Sequence, residues 1–206
     1  MEAGPTYCYS RLKGAQRNWQ PLFDQLTAAT LPALADAGVK RWGAWSGLFG
    51  IGSNELVLMT FADAAIDHVE ALNAHIAGAP ASIVEQHLLE PTVRPAAAHE
   101  LTRAGLYVFR FFDVDNADVD AVAQLSLEAW TTFESATAYR AEPQGLFRLR
   151  DRSVAAGLML LCTWYDGLES WQVSREPPPE AAENFRRRHA LTRATIAYAT
   201  RLITTS

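Results

Sequence analysis

The 206 residues are 49% hydrophobic and 20% charged, a balance that puts the chain among globular proteins able to bury a sizeable core and away from disordered ones. A formal net charge of -5 and an isoelectric point near 5.5 leave no basic footprint for a polyanion, so nucleic acid is excluded as an expected partner. There is no run of about 18 apolar residues, and the opening stretch MEAGPTYCYSRLKG has no basic region followed by a long apolar one. The expectation is a cytoplasmic protein with no membrane partner. Cys8 and Cys162 stand outside any CxxC and away from ligand-spaced histidines, so neither a disulfide framework nor a metal site is expected and both read as small core residues.

Thr6–Leu12 alternates Tyr7, Tyr9 and Arg11 with Cys8, Ser10 and Leu12, the period of a strand contacted on both faces. A helix follows Gly14, with Asn18 as its cap, Pro21 in its first turn and Trp19, Leu22, Phe23, Leu26 and Leu34 as its buried stripe. Pro32 is expected to kink or shorten the last turn and Gly38 to end it. Val39–Trp45 reads as a strand with Val39, Arg41, Gly43 and Trp45 opposite Lys40, Trp42 and Ala44. Gly47, Gly50 and Gly52 with Ser53-Asn54 read as the loop of a hairpin whose second strand is Glu55–Phe61. Ile66, Val69, Leu72 and Ile76 mark an amphipathic helix closing at Gly78-Ala79-Pro80. Ser82–Leu89 supplies a last strand with Ile83, Glu85, His87 and Leu89 on one face, and Pro91 closes the unit. The order is β-α-β-β-α-β, the ferredoxin-like unit.

The second half repeats the order. Tyr107–Phe112 answers Tyr7–Leu12 at an offset of 107 − 7 = 100, and Gly145-Leu146-Phe147 answers Gly47-Leu48-Phe49 at 145 − 47 = 98. Thr163 answers Thr60 at 163 − 60 = 103. Between these strands a helix opened by Asn116 or Asp118 carries Val119, Val122, Trp130 and Phe133 inward. A short helix at Gly167–Arg175, with Leu168 and Trp171 inward, stops at Pro177-Pro178-Pro179, and a further helix at 180–191 has no counterpart in the first half. Thr195–Ile203 is the final strand. The division expected is a ferredoxin-like unit at 1–92, a linker at 93–104 and a second unit at 105–206.

Three features carry a family resemblance: the strand-one pattern Tyr7, Tyr9, Arg11; the hairpin GLFGIGSNELVLMTFAD; and the strand-four ending EQHLLEPT. On these the chain resembles a tandem member of the NIPSNAP-like group of the dimeric α+β-barrel superfamily. The resemblance implies an α+β fold in which two ferredoxin-like units form a barrel around a small inter-sheet chamber, here within one chain. It implies binding of a small, partly apolar organic molecule and leaves open whether the protein is a cofactor-independent enzyme, a non-enzymatic interaction protein or a haem-binding two-unit protein. The second half lacks the Glu-Pro-Thr ending, so the working pocket is expected beside the first unit with the second as its lid. Homo-oligomers through sheet edges or helices fit the same picture.

Tyr9 and His87 are the candidate catalytic residues, His87 lying at strand spacing from Glu85 as an acid/base pair. Tyr7, Arg11, Trp45, Thr60, Glu85, Arg110 and Thr163 are candidate ligand-binding residues: aromatics to wall an apolar chamber, hydroxyls to orient a ligand and an arginine for an anionic group. Alternation puts Arg11 and Arg110 on opposite faces of their strands, so only one can face the chamber. No cofactor and no metal are expected; haem is the alternative, with His189 its ligand, although the run Arg186–Arg188 before it reads as a solvated face. His68, His75 and His99 read as exposed and carry no chemistry.

Overall fold

The computed structural model describes residues 4–76 and 81–204. The chain divides into two units: of the described residues, 4–76, 81–90, 98–103 and 200–204 form unit 1, and 91–97 with 104–199 form unit 2. Each unit runs β-α-β-β-α-β. Unit 1 contains β1 (Thr6–Gly14), α1 (Gln20–Gln25), a π-helical turn (Leu26–Thr30), α2 (Leu31–Asp36), β2 (Lys40–Phe49), β3 (Glu55–Ala62) and α3 (His68–Ile76), and most of β4 (Ala81–Arg94). Unit 2 contains β5 (Leu106–Asp115), α4 (Val119–Phe133), β6 (Ala141–Leu149), β7 (Ala156–Tyr165), α5 (Leu168–Val173) and α6 (Pro179–Ala190), and most of β8 (Thr192–Leu202). The strand orders β4-β1-β3-β2 and β8-β5-β7-β6 are the same, as a split βαβ requires.

In unit 1 the helices cover one face of the sheet. Leu12, Leu56 and Leu58 from the strands meet Leu22, Phe23, Leu26, Leu34, Leu72 and Ile76 from the helices in one buried cluster. Pro32 does not shorten the helical layer as expected. Its ring nitrogen has no hydrogen to bond back one turn, and the preceding turn widens so that the Leu31 N–H reaches the Leu26 carbonyl, after which the helix continues to Asp36. Gly38, at φ 79°, then ends it: its N–H bonds the Ala35 carbonyl at 3.0 Å and that of Val39 bonds the Leu34 carbonyl at 2.8 Å. The expected closure of α3 at Gly78-Ala79-Pro80 lies outside the described residues.

Three strand irregularities decide which side chains share a face. β2 shifts register against β3 between Arg41 and Gly43, so the strict alternation expected across Val39–Trp45 breaks and Trp42 and Trp45 come together, their rings 5.8 Å apart. β6 makes the equivalent shift between Pro143 and Gly145. In both, an aromatic ring two residues on lies over the bulge glycine: a Cβ on Gly43 would sit 2.3 Å from the Trp45 ring and one on Gly145 2.5 Å from that of Phe147. The true counterpart of Gly145-Leu146-Phe147 is therefore Gly43-Ala44-Trp45, and Gly47-Leu48-Phe49 belongs to β2 itself rather than to the loop after it. The third irregularity is in β4, where Leu12 pairs with Ile83 but Arg11 with Glu85, leaving Val84 as the extra residue. Ile83 consequently joins the helix-side cluster, while Glu85, His87 and Leu89 lie opposite Arg11, Tyr9 and Tyr7 on the other face.

Strand β4 does not stop at Pro91 but continues to Arg94, held by the Thr92 hydroxyl donating to the Leu146 carbonyl at 2.7 Å and by Arg94 donating to the Pro143 carbonyl at 3.1 Å. In unit 2 the cluster of Val108, Phe112, Val114, Leu146, Met159 and Leu161 packs against Val119, Val122, Trp130 and Phe133 of α4 as expected. Leu168 is 42% exposed, contrary to the inward position expected, whereas Trp171 of the same short helix packs on the core. Cys8 and Cys162 are free and buried.

Gly105 leads into β5 at φ 154°, and a Cβ there would stand 2.2 Å from the Trp164 indole nitrogen, which donates to the Ala104 carbonyl at 3.0 Å. Gly105→Ala combines backbone strain with a clash and is expected to cost about 2–3 kcal/mol of stability. Urea denaturation checks this; an unchanged midpoint would show that the strand entry relaxes freely.

Candidate functional site

On the face of unit 1 away from the helices, Tyr7, Tyr9, Trp42, Trp45, Val57 and Met59 are fully buried. Tyr7 meets Trp42 edge-on with ring centroids 5.8 Å apart, and burial pushes its phenol pKa up to about 12. Beside these aromatics runs a line of alternating charge. Glu55 Oε2 lies 3.8 Å from Arg11 Nη1, Arg11 Nε lies 3.5 Å from Glu85 Oε2, and Glu85 Oε1 lies 3.0 Å from His87 Nε2. The Tyr9 ring stacks on His87 at 6.1 Å and 28°. The cross-strand register explains the grouping, since Arg11 faces Glu85 and Tyr9 faces His87. The hydrogen bond to His87 holds the Glu85 carboxyl below its usual pKa against the opposing effect of burial, with Arg11 adding to it. A carboxylate bonded to an imidazole beside a tyrosine has the groups that proton transfer requires.

Thr60 does not join this group. It lies on the helix side, its hydroxyl 3.4 Å from His68 Nδ1, while the Thr6 hydroxyl lies 3.1 Å from His68 Nε2. His68, expected to be exposed, is fully buried at the start of α3, where two strand threonines satisfy both ring nitrogens. Its sequence signal was weak: one threonine on each of two neighbouring strands, paired with the same imidazole only once the fold is formed.

Unit 2 holds a cavity of about 440 Å³ between the helix side of its sheet and the helices. Val108, Trp130, Phe133, Leu161, Trp171 and Phe185 supply apolar walls, and Thr163, Tyr165 and Ser174 supply hydroxyls. Arg110 lines it because it occupies the place of Ser10, not of Arg11: Phe109 pairs with Cys162 as Tyr9 pairs with Met59, which puts the next residue on the helix side in both units. The expectation that the two arginines take opposite faces holds, and Arg110 and Thr163 come together in this cavity. Arg175 and Arg188 line it too. Arg188 was expected on a solvated face, but Ala181, Phe185 and Arg188 follow each other at helical spacing, and its guanidinium lies 4.7 Å from the Phe185 ring centroid and 4.9 Å from that of Phe112. That stripe was the available signal. His189 lines the same cavity, largely exposed.

Burial lowers the pKa of Arg188 to about 10, and the charge of Arg110 adds to the effect. The pKa of Arg110 is lowered by burial, with Tyr165 opposing and Arg175 adding to the effect. A more open cavity of about 640 Å³ in unit 1, lined by α2 and β2 residues, differs in kind: its arginine, Arg41, already pairs with Glu100 at 2.5 Å. Among the described residues there is no group of three or more metal-ligating side chains, and no helix is long and apolar enough to cross a membrane.

No protein-family model and no curated protein matches the chain. Solved structures do. A variant of chlorite dismutase from Candidatus Nitrospira defluvii superimposes with a TM-score of 0.65 at 9% identity, covering 98% of this chain and 92% of the other. A haem-binding protein from Thermus thermophilus gives 0.61 at 9% identity with the same coverages, and an anthrone oxidase-like protein gives 0.60 at 13% identity, again over 98% and 92%. At such identities the likeness is one of fold. The chain has the α+β fold of the dimeric α+β-barrel proteins, with two ferredoxin-like units carried by one chain.

Because the folded pKa of Glu85 is depressed, its pairing contributes stability that is fully present above the ordinary carboxylate range and is lost as pH falls through the folded value. Glu85→Gln is therefore expected to flatten the loss of thermal stability between neutral pH and about pH 3, roughly the carboxylate range. Melting curves across that range check it, and an identical acid limb in variant and parent would contradict the assignment.

Proposed function

We propose that the protein binds a small, partly apolar organic molecule and that the cavity of unit 2 is its seat. The observation carrying this reading is the cavity itself: about 440 Å³ of space with aromatic walls and a few convergent polar groups. That lies within the roughly 300–1,000 Å³ typical of small-molecule sites. Arg110 and Thr163 are its polar contacts on the sheet, and the helices α4, α5 and α6 close it from the other side. Within the same reading the chain is a NIPSNAP-like barrel protein of the cytoplasm, with self-association through helices or sheet edges.

Tyr9, Glu85 and His87, ordered by Arg11, form a second group in unit 1, apart from that cavity, and are the acid/base set through which such a protein would act without a cofactor on a molecule reaching this face, supported by the 3.0 Å contact between His87 and Glu85. Tyr7 and Trp45 would then wall this second group. His87→Ala is expected to abolish conversion of any ligand that co-purifies with the protein, followed by mass spectrometry; full conversion by the variant removes His87 from the chemistry.

A second reading, haem binding, is favoured by one observation: His189 lines the same cavity, and the structural neighbours include a haem-binding protein. The fit is partial, because axial histidines are held by an acceptor on the second ring nitrogen and no described residue bonds the His189 ring.

One set of titrations separates the two. The neutral fluorophore N-phenyl-1-naphthylamine is expected to bind the parent and to lose at least tenfold in affinity on Ala182→Trp, which fills the cavity from α6. Undiminished binding to that variant would place the ligand elsewhere. Haemin is expected to give no Soret shift dependent on His189; a shift that His189→Ala abolishes would establish the haem reading instead.

A further inference from the structure

The cavity of unit 2 has an electrostatic character that its size and apolar walls do not explain. Arg110, Arg175 and Arg188 all border it, and no aspartate or glutamate lines it. A fourth arginine at its edge, Arg186, is neutralised by a two-point pair with Glu183 at 2.9 and 2.7 Å, which marks by contrast what the other three lack. The contacts of Arg110 and Arg188 are to neutral groups. Arg110 Nη1 reaches the Thr195 hydroxyl at 3.5 Å, and Arg188 Nη1 donates to the Ser126 hydroxyl at 3.2 Å, which in turn donates to the Val122 carbonyl at 2.7 Å.

Each guanidinium has five N–H donors in a planar fork. One such hydrogen bond leaves most of them for a guest, and the Phe112 and Phe185 rings hold the plane of Arg188 in place. Tyr165 lines the same cavity; burial raises its pKa, while a hydrogen bond with Ser174 and then the charges of Arg110, Arg175 and Arg188 pull the other way. Holding cations together without a counter-charge in a half-buried site costs stability, and a protein keeps such an arrangement where an anion completes it. The walls add a second condition. Trp130, Phe133, Trp171 and Phe185 would desolvate a bare inorganic anion with no return, but they suit an acid with an apolar body.

Resting on the small-molecule reading above, we infer that this cavity is a carboxylate site: Arg110 and Arg188 hold the carboxylate of an aromatic or alkyl monocarboxylic acid by paired N–H···O bonds, and the aromatic walls enclose its body. Arg175, exposed and with its guanidinium 6.0 Å from the Trp171 ring centroid, adds a third positive charge to the lining.

The experiment measures displacement of N-phenyl-1-naphthylamine from the full-length protein by 2-naphthoate, by its neutral isostere 2-naphthamide and by inorganic phosphate. The naphthoate is expected to compete at least tenfold better than the amide on the parent. Arg110→Gln and Arg188→Gln should each remove that preference without lowering the melting temperature, because each deletes an uncompensated cation. Arg188→Lys should restore only part of it, and Arg187→Gln, which removes an exposed charge bonded to Asn184, should leave it intact. Equal competition by acid and amide, or a preference that survives both glutamine variants, overturns the carboxylate assignment while leaving the small-molecule reading in place. Phosphate competing as well as naphthoate also overturns it. Failure of the neutral fluorophore to bind at all overturns the small-molecule reading and this inference together.

Discussion

The geometry of both units turns on an aromatic ring lying across a glycine at a strand bulge. In β2 the ring is Trp45 over Gly43, and in β6 it is Phe147 over Gly145. The bulge offsets the strand by one residue, and any side chain larger than hydrogen at the glycine would displace the ring. Once the register is set there, β3 and β7 follow by antiparallel pairing, and with them the faces taken by β1 and β5. In this shared register Arg11 turns away from the helices of unit 1 and Arg110 turns toward those of unit 2 because Arg110 stands in the place of Ser10, one position from that of Arg11.

The fold was largely legible in the sequence. Hydrophobic period and turn residues gave the β-α-β-β-α-β order twice, and the buried residues of α4 are the ones its spacing named. What the pattern concealed are single-residue irregularities. A bulge leaves no mark in composition, so Ile83 was grouped with Glu85 although Val84 separates their faces. The tripeptide Gly-Leu-Phe repeats in the sequence without repeating in the structure, since its second copy sits on a bulge and its first at a strand end. Pro32 shows the same limit from another side, as a π-helical turn absorbs what would otherwise have ended a helix.

Legibility of the site followed a different rule. The pairing of Glu85 with His87 was accessible because both lie on one strand, at a spacing that fixes their distance. The cavity of unit 2 was not, because it gathers Arg110 and Thr163 from the sheet with Arg175 and Arg188 from the helical segments that follow, across about 80 residues of chain. A run of three arginines looks solvated until the phase of its helix is set by Ala181 and Phe185. The third of them is then committed to the interior, where it rests on aromatic faces and not beside a carboxylate. The same stripe that secures α6 to its unit is thus the one that carries charge into it.

Strands β4 and β8 each contribute residues to both units: Pro91–Arg94 of β4 count with unit 2, and Thr200–Leu202 of β8 count with unit 1, where the Ile203 N–H bonds the Ala44 carbonyl at 2.8 Å. No single cut in the gene therefore yields two fragments that each hold one complete unit. Exchange of a half between relatives by recombination would carry a foreign strand end into the half that was kept. Divergence of the two halves is free to proceed by substitution and by loop growth, while a cut between them leaves each half without the strand end that clusters with it from the other.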